Sequence, residues 1–415
     1  MNQYVIIGNG VAAAGCIEGI RSADRCGSIV VISQENRPVY CRPLISYCLQ
    51  GKTDLTRMNY RADDFYETMR CRVLYGERAA RIDRETTTVL LDSGGAVPYT
   101  HLCIAAGSSP VLPPVPGLET VQNRSAFMTI DDMLALQSSV TKESRVLIIG
   151  AGLIGLKCAE GLRDRAGEIT VCDLADRVLS SILDAECAAV MQAHLEENGI
   201  RFVLGDRVER FQKNTALLKS GNTVDFDVLV LASGVRANTS LLLDMGGRAD
   251  AGIAVNDRME TSVPHIFAAG DCTECDDISS GQKRVLALFP NAYMQGYAAG
   301  VNMAGGHKIF DRAIPMNSIG FFGLHAMTAG SSFPAELGGE CYEEKAEGTL
   351  KRLFTRNGRL TGFILIGCTD RAGVYTSLIR DQVPLDTVQL DILRKNASIA
   401  AFSPDIRRKK LGGVV

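Results

Sequence analysis

An α/β fold built twice in one chain and followed by a smaller α+β segment is what this sequence predicts, and three observations predict it. Val5-Ile-Ile-Gly-Asn-Gly-Val-Ala-Ala-Ala14 and Val146-Leu-Ile-Ile-Gly-Ala-Gly-Leu-Ile-Gly155 are near copies of one phrase. Each runs from an apolar strand through a glycine turn into a small-residue helix, and each is followed by a second apolar strand that ends near an acid. After Ala313 the phrase does not recur, and strand-like runs appear instead, Ser318-Ile-Gly-Phe-Phe322 and Leu360-Thr-Gly-Phe-Ile-Leu-Ile-Gly367.

In the first copy Gly8 permits the turn and Gly10 lets backbone approach a pyrophosphate. Ala13, standing where a third glycine is common, is small enough for helix to pack on strand, and the helix N-terminus offers N–H groups to phosphates. The strand Ser28-Ile-Val-Val-Ile-Ser33 leads to Glu35, placed to accept a hydrogen bond from a ribose hydroxyl. The second copy supplies Gly150, Gly152 and Gly155, then the strand Glu168-Ile-Thr-Val-Cys172 ending at Asp173. An acid there suits a free 2′-hydroxyl and repels a 2′-phosphate, so NADH is expected over NADPH. Two copies in the right context predict two Rossmann-like, three-layer domains that hold two dinucleotides at once. The natural pair is a flavin (FAD) and a nicotinamide, NAD(H).

Size and charge exclude other classes. The 415 residues need two or three domains. With 44 Lys+Arg against 47 Asp+Glu there is no basic surplus for nucleic acid. The longest apolar run, 146–156, is too short to cross a bilayer, and no signal segment precedes the first strand, so a cytoplasmic protein is expected. Thirteen scattered cysteines fit small buried hydrophobes in a reducing compartment, as in an anaerobe, better than a disulfide framework. The five histidines have no metal-ligand spacing, and no metal site is expected.

Further motifs resemble a family of flavoproteins that bind two dinucleotides, among them NADH-dependent rubredoxin and ferredoxin reductases, NADH oxidases, coenzyme A disulfide reductases and the nitrite reductase flavoprotein. His101-Leu-Cys-Ile-Ala-Ala-Gly-Ser-Ser-Pro110 resembles the family's first crossover between domains, which implies that Ala106 and Gly107 lie at the flavin. Val228-Leu-Val-Leu-Ala-Ser-Gly-Val-Arg-Ala-Asn-Thr239 is similar to the return crossover, with Gly234 on the nicotinamide side. Thr261-Ser-Val-Pro-His-Ile-Phe-Ala-Ala-Gly-Asp271 is similar to the second flavin motif, whose aspartate, here Asp271, binds the ribityl chain. The resemblance implies a discontinuous FAD domain, residues 1–112 and 236–312, an NAD domain over 113–235 and a C-terminal α+β interface domain over 313–415.

Within the resemblance, Tyr40-Cys-Arg-Pro-Leu-Ile-Ser-Tyr47 decides the branch. Arg42 and Pro43 match a flavin-binding pattern, while Ile45 takes the place of the redox cysteine carried by disulfide reductases and related oxidases. Two departures occur together: Tyr47 replaces a lysine and Lys157 replaces a glutamate, residues that pair near the flavin N5 in relatives. A rearranged polar contact is expected, with Lys157 bringing positive charge to the hydride path; the alternative is a lysine that reaches solvent. Pro290 opens a helix that in relatives aims its positive end at the flavin pyrimidine. Cys272-Thr-Glu-Cys275 could be a redox pair if it lies at a helix N-terminus that lowers one thiol pKa. The basic run 406–410 could steer an acidic partner, or be a solvated terminal run.

The function implied is electron transfer between NAD(H) and an iron–sulfur (ferredoxin-like) or rubredoxin-type protein through FAD. The chain is expected as a homodimer or as a subunit of a larger redox complex, such as one beside carbon monoxide dehydrogenase. NADH oxidation by oxygen and disulfide reduction are the alternatives.

Overall fold

The computed structural model describes residues 2–333, 335–395 and 397–411, with the side chains of residues 409–411 outside the described set. Two compact units result: one takes Met1–Ser181, Ala188–Cys275 and Arg284–Asp311, the other Ile182–Cys187, Asp276–Lys283 and Arg312–Val415.

The larger unit contains two parallel five-stranded sheets with the same winding. In the first the order is Ile266–Ala268, His101–Ile104, Gln3–Ile7, Ser28–Ser33, Cys71–Tyr75. In the second it is Arg201–Leu204, Glu168–Asp173, Arg145–Ile149, Val228–Leu231, Arg124–Ser125. The fingerprint strand is central in both, so the order reverses beside it, and the carboxyl ends of strands at such a switch point are where open α/β sheets bind ligands. These central strands are near-continuous apolar runs because both faces are covered.

One face carries helices. Ile6, Ile17, Ile20 and Phe267 share a buried cluster with the alanines of the Val11–Ala23 helix and with Ala298 and Ala299 of the Phe289–Met303 helix. The opposite face carries an antiparallel three-stranded meander, Ala79–Asp83, Thr88–Leu91 and Ala96–Pro98, whose Ile82, Val89 and Val97 pack on Val5, Leu102 and Ile104. The second sheet repeats this layer with Val208–Gln212, Thr215–Leu218 and Thr223–Asp225, where Phe211, Ala216 and Leu218 pack on Leu147, Leu229 and Leu231. Three layers are thus built twice. The meanders were not foreseen, although their turns also repeat in the sequence: Leu90-Leu-Asp-Ser-Gly-Gly-Ala-Val97 and Leu217-Leu-Lys-Ser-Gly-Asn-Thr-Val224. Both turns place a glycine at positive φ, Gly94 at 87° and Gly221 at 90°.

The smaller unit is an antiparallel five-stranded sheet in the order Met316–Phe321, Leu324–Gly330, Arg359–Ile366, Thr349–Arg356, Gly339–Ala346. Helices Ala372–Arg380 and Leu390–Lys395 bury Tyr375, Leu378 and Leu393 with Leu353, Phe363 and Leu365 of the sheet, an α+β arrangement. The basic run falls in the terminal helix Pro404–Leu411, and its Lys409 and Lys410 side chains lie outside the described residues. Among the described residues no helix is long and apolar enough to cross a membrane.

Candidate functional site

The two glycine loops share the hydrogen bond made by their first glycine. Gly8 donates its N–H to the Ile32 carbonyl at 2.8 Å, and Gly150 donates to Cys172 at 2.8 Å. At φ of 105° and 119° they occupy backbone that L side chains rarely adopt. A Cβ on Gly8 would lie 2.1 Å from the Ala105 carbonyl oxygen, and one on Gly150 would lie 2.2 Å from that of Ala232. Each first glycine is therefore wedged against the neighbouring strand at the switch point. Gly10 and Gly152 have open space where a Cβ would be, and each is the N-cap of its helix with no side-chain cap and no acid in the first turn. Unclaimed N–H groups facing open space suit a pyrophosphate. The third positions differ: a Cβ on Gly155 would meet the Gly150 oxygen at 1.9 Å, whereas the first helix accommodates the fully buried methyl of Ala13.

The acids after the second strands are already engaged. Glu35 accepts from Tyr40 Oη at 2.7 Å and forms an ion pair with Arg42. Asp173 accepts from the Ala151 N–H at 2.6 Å and from the Ala175 N–H at 2.8 Å, which fixes it to the glycine loop. A carboxylate has about four acceptor sites, so both acids retain capacity for a ribose hydroxyl.

Arg42 and the exposed Pro43 lie in a short 3-10 turn, Arg42–Leu44, and Arg42 Nη1 donates to the Met128 carbonyl at 2.9 Å. The crossover segments Ser108–Pro110 and Val235–Ala237 pair antiparallel, and Asn238 Nδ2 donates to the Ala106 carbonyl at 2.8 Å. Gly107 and Gly234, at φ of 64° and 124°, border open space. Half-buried Asp271 follows Gly270, whose N–H donates to Gln295 Oε1 at 2.7 Å; among the described residues its carboxylate accepts no hydrogen bond. Burial pushes the Asp271 carboxyl above the ordinary range, against the pull of Arg42. A partly buried carboxylate with no donor among the described residues suits a ligand hydroxyl.

Pro290 is in the first turn of the Phe289–Met303 helix, which has no side-chain cap. That helix lies backbone to backbone on Val11–Ala23: a Cβ on Gly296 would be 1.9 Å from the Ala12 oxygen, and one on Gly15 would be 2.3 Å from that of Tyr293. Glycines four apart on both helices, 15 and 19 against 296 and 300, make this approach possible, a signal present in the sequence and overlooked.

Lys157 and Tyr47 meet. The Lys157 ammonium stands 4.7 Å from the Tyr47 ring centroid and 2.5 Å from Glu160 Oε2. Its side chain is 17 % exposed and that of Glu160 5 %, so the solvent-reaching alternative is excluded. Glu160, one helical turn beyond Lys157, was not foreseen; the i, i+3 spacing was its signal. Leu49 closes the same contact, with a Cβ on Gly161 lying 3.0 Å from its Cδ2 and its carbonyl accepting from Arg165 Nε at 2.8 Å.

The thiols beside the place of the family's redox cysteine are not activated. Ile45 is buried, and burial pushes the flanking Cys41 and Cys48 thiols up. The Cys272/Cys275 pair does not lie at a helix N-terminus: Cys275 is in the strand Thr273–Asp277. Cys272 is fully buried, donates to the Ala269 and Ile104 carbonyls, and is pushed up to about 12. The helix terminus that would lower a thiol pKa is therefore absent here, and the Cys272 thiol shifts the opposite way. Among the described residues no group of three or more metal-ligating side chains forms.

Comparison with known proteins agrees with this geometry. Residues 2–296 match the family model described as pyridine nucleotide-disulphide oxidoreductase. The epsilon subunit of NADH-dependent phenylglyoxylate dehydrogenase from Aromatoleum evansii is 32% identical over 91% of this chain and 91% of its own length. Nitrite reductase [NAD(P)H] from Bacillus subtilis (strain 168) is 29% identical over 97% of this chain, which spans 50% of that protein. A ferredoxin reductase for the CYP199A2 system of Rhodopseudomonas palustris has a structure that matches at a TM-score of 0.86, with 25% identity over 96% of this chain and 100% of that one. The chain belongs to the pyridine nucleotide-disulphide oxidoreductase family. It is an FAD-dependent NAD(P)H oxidoreductase with FAD and NAD(H) as its cofactors.

Proposed function

We propose that this oxidoreductase draws electrons from NADH and delivers them singly to a separate iron–sulfur or rubredoxin-type protein, as a subunit or partner of a larger redox assembly. FAD, when bound, supplies the conversion between a two-electron hydride and single electrons. The open loop at Gly10 and the N-terminus of Val11–Ala23 hold its pyrophosphate, and Asp271 accepts from its ribityl chain. Glu35 serves its ribose, while Arg42, Pro43, Ala106 and Gly107 line the rest. Gly150, Gly152, Gly155 and Gly234 receive the nicotinamide dinucleotide, and Asp173 disfavours a 2′-phosphate. The domain limits are those of the sequence: 1–112 with 236–312 for FAD, 113–235 for NAD, and 313–415 for the C-terminal domain.

Lys157 and Tyr47 join the Leu153–Leu162 helix, which starts at the second loop, to the Ile45–Leu49 segment beside the flavin residues. Their contact places the Lys157 ammonium, ion-paired with Glu160, at the proposed hydride path on the side where the flavin gains negative charge. The positive end of Phe289–Met303 stabilises negative charge on the opposite side by about 0.3–1 kcal/mol.

One observation favours an outside acceptor over a disulfide: buried Ile45 occupies the place of the redox cysteine, and the thiols beside it are pushed up rather than activated. The relative named as a dehydrogenase subunit supports the assembly. Anaerobic stopped-flow with NADH and purified ferredoxin, rubredoxin or coenzyme A disulfide tests it. Fast reduction of an iron protein with negligible disulfide turnover is expected; the reverse order refutes it.

A further inference from the structure

The smaller unit contains a cavity of about 370 Å³ between one face of its sheet and the helices Ala372–Arg380 and Leu390–Lys395. Leu353 and Leu360 of the sheet and Leu378 and Leu393 of the helices give it apolar walls. Tyr375 Oη spends its hydrogen bond on the Leu393 carbonyl at 2.5 Å, so its ring adds to the walls without adding an open donor.

Two half-buried arginines also line the cavity. The Arg356 guanidinium lies 4.4 Å from the Phe333 ring centroid, and that of Arg394 lies 5.0 Å from the Tyr342 centroid. Neither has a carboxylate partner among the described residues. Arg352, on the same strand, shows how this unit treats an arginine it uses for structure: Asp184 at 2.7 Å and Glu343 at 2.5 Å pair with it, and Glu186 completes the set. Two stacked cations left without anions beside hydrocarbon walls form the complement of an anion with an apolar tail. The volume is at the small end of ligand sites, about 300–1,000 Å³. Exposed Glu340 lines the same cavity and disfavours a second negative charge.

We propose that this cavity binds a small amphipathic monocarboxylate, with its head on Arg356 and Arg394 and its aliphatic or aromatic tail among the leucines. Every residue that lines the site belongs to the smaller unit and none to the dinucleotide loops.

Isothermal titration of the full-length, FAD-loaded protein with octanoate, phenylacetate and octylammonium tests it. One carboxylate per chain is expected, with no binding of octylammonium. Whether octanoate or phenylacetate binds tighter identifies the tail as aliphatic or aromatic, and either ranking upholds the site. Arg356→Gln with Arg394→Gln should weaken binding at least tenfold, and Leu378→Trp should block it. If the tryptophan variant does not fold, Arg394→Gln alone should still weaken binding several-fold. Failure of both carboxylates to bind, equal binding of octylammonium, or unchanged affinity in the arginine variants overturns the assignment.

Discussion

The Lys157 ammonium lies on the face of Tyr47, 4.7 Å from the ring centroid, and Glu160 holds it there from one helical turn away. Two residues that depart together from the pattern of the resembling reductases are in contact with each other. A cation on an aromatic face contributes about 0.5–1 kcal/mol when exposed and about 2 kcal/mol when desolvated. With Lys157 mostly buried, Tyr47→Leu and Lys157→Gln should each slow flavin reduction by NADH roughly 5- to 30-fold, since about 1.4 kcal/mol is tenfold. FAD content should stay unchanged. Joint replacement, Tyr47→Lys with Lys157→Glu, should recover more than either single change if the contact acts as a unit. Stopped-flow absorbance of the flavin reads each rate.

The equivalent clashes at Gly8 and Gly150 predict separable losses. Gly8→Ala pushes a methyl into the Ala105 oxygen at 2.1 Å and should yield protein with little FAD. Gly150→Ala meets the Ala232 oxygen at 2.2 Å and should keep FAD while raising KM for NADH more than tenfold. The FAD-to-protein ratio and steady-state kinetics distinguish the two.

Asp271 predicts a pH dependence of cofactor binding. Burial holds its carboxyl above the ordinary range, and on the proposed role a ribityl hydroxyl would donate to the ionised form. FAD affinity should be full above the Asp271 pKa of the FAD-free protein and fall as pH drops through it. Asp271→Asn should remove that dependence, and Asp271→Ala should empty the site; equilibrium dialysis across pH measures both.

His101 predicts a pH dependence of stability. Its pKa is lowered from 6.5, first by burial and then by facing His265, whose ring lies 5.4 Å away. Between the two pKa values the unfolded chain binds more protons than the folded one. This contribution is therefore present above about pH 6.5 and is lost as pH falls from there through the folded value. His101→Gln should flatten that part of a urea-denaturation profile taken from pH 7.5 to 5.

Much of the fold was legible because glycines at a strand-to-helix turn are constrained by backbone, and a backbone constraint is written locally. The positive φ of Gly8 and Gly150 is the local part of that constraint, and the close Ala105 and Ala232 carbonyls reinforce it. The meanders were less legible, since a short strand of alternating residues such as Thr215–Leu218 draws its stability from the sheet beneath it. The site was legible as residue types and incompletely as contacts. Substitutions at 47 and 157 were visible in sequence, but their meeting depends on Leu49 packing against Gly161 across 112 positions of chain, which no local pattern encodes. The C-x-x-C spacing of Cys272 and Cys275 left a redox pair open for the same reason: whether a helix terminus meets it depends on tertiary context, which buries both and puts Cys275 in a strand.

The most direct test is an anaerobic titration of the FAD-loaded protein with NADH, following flavin absorbance, repeated with NADPH. One NADH per FAD should complete the reduction, with NADPH far less effective on the proposal that Asp173 faces the 2′ position. A requirement for two equivalents would reveal a second redox centre, such as a disulfide, and contradict electron delivery to an outside protein.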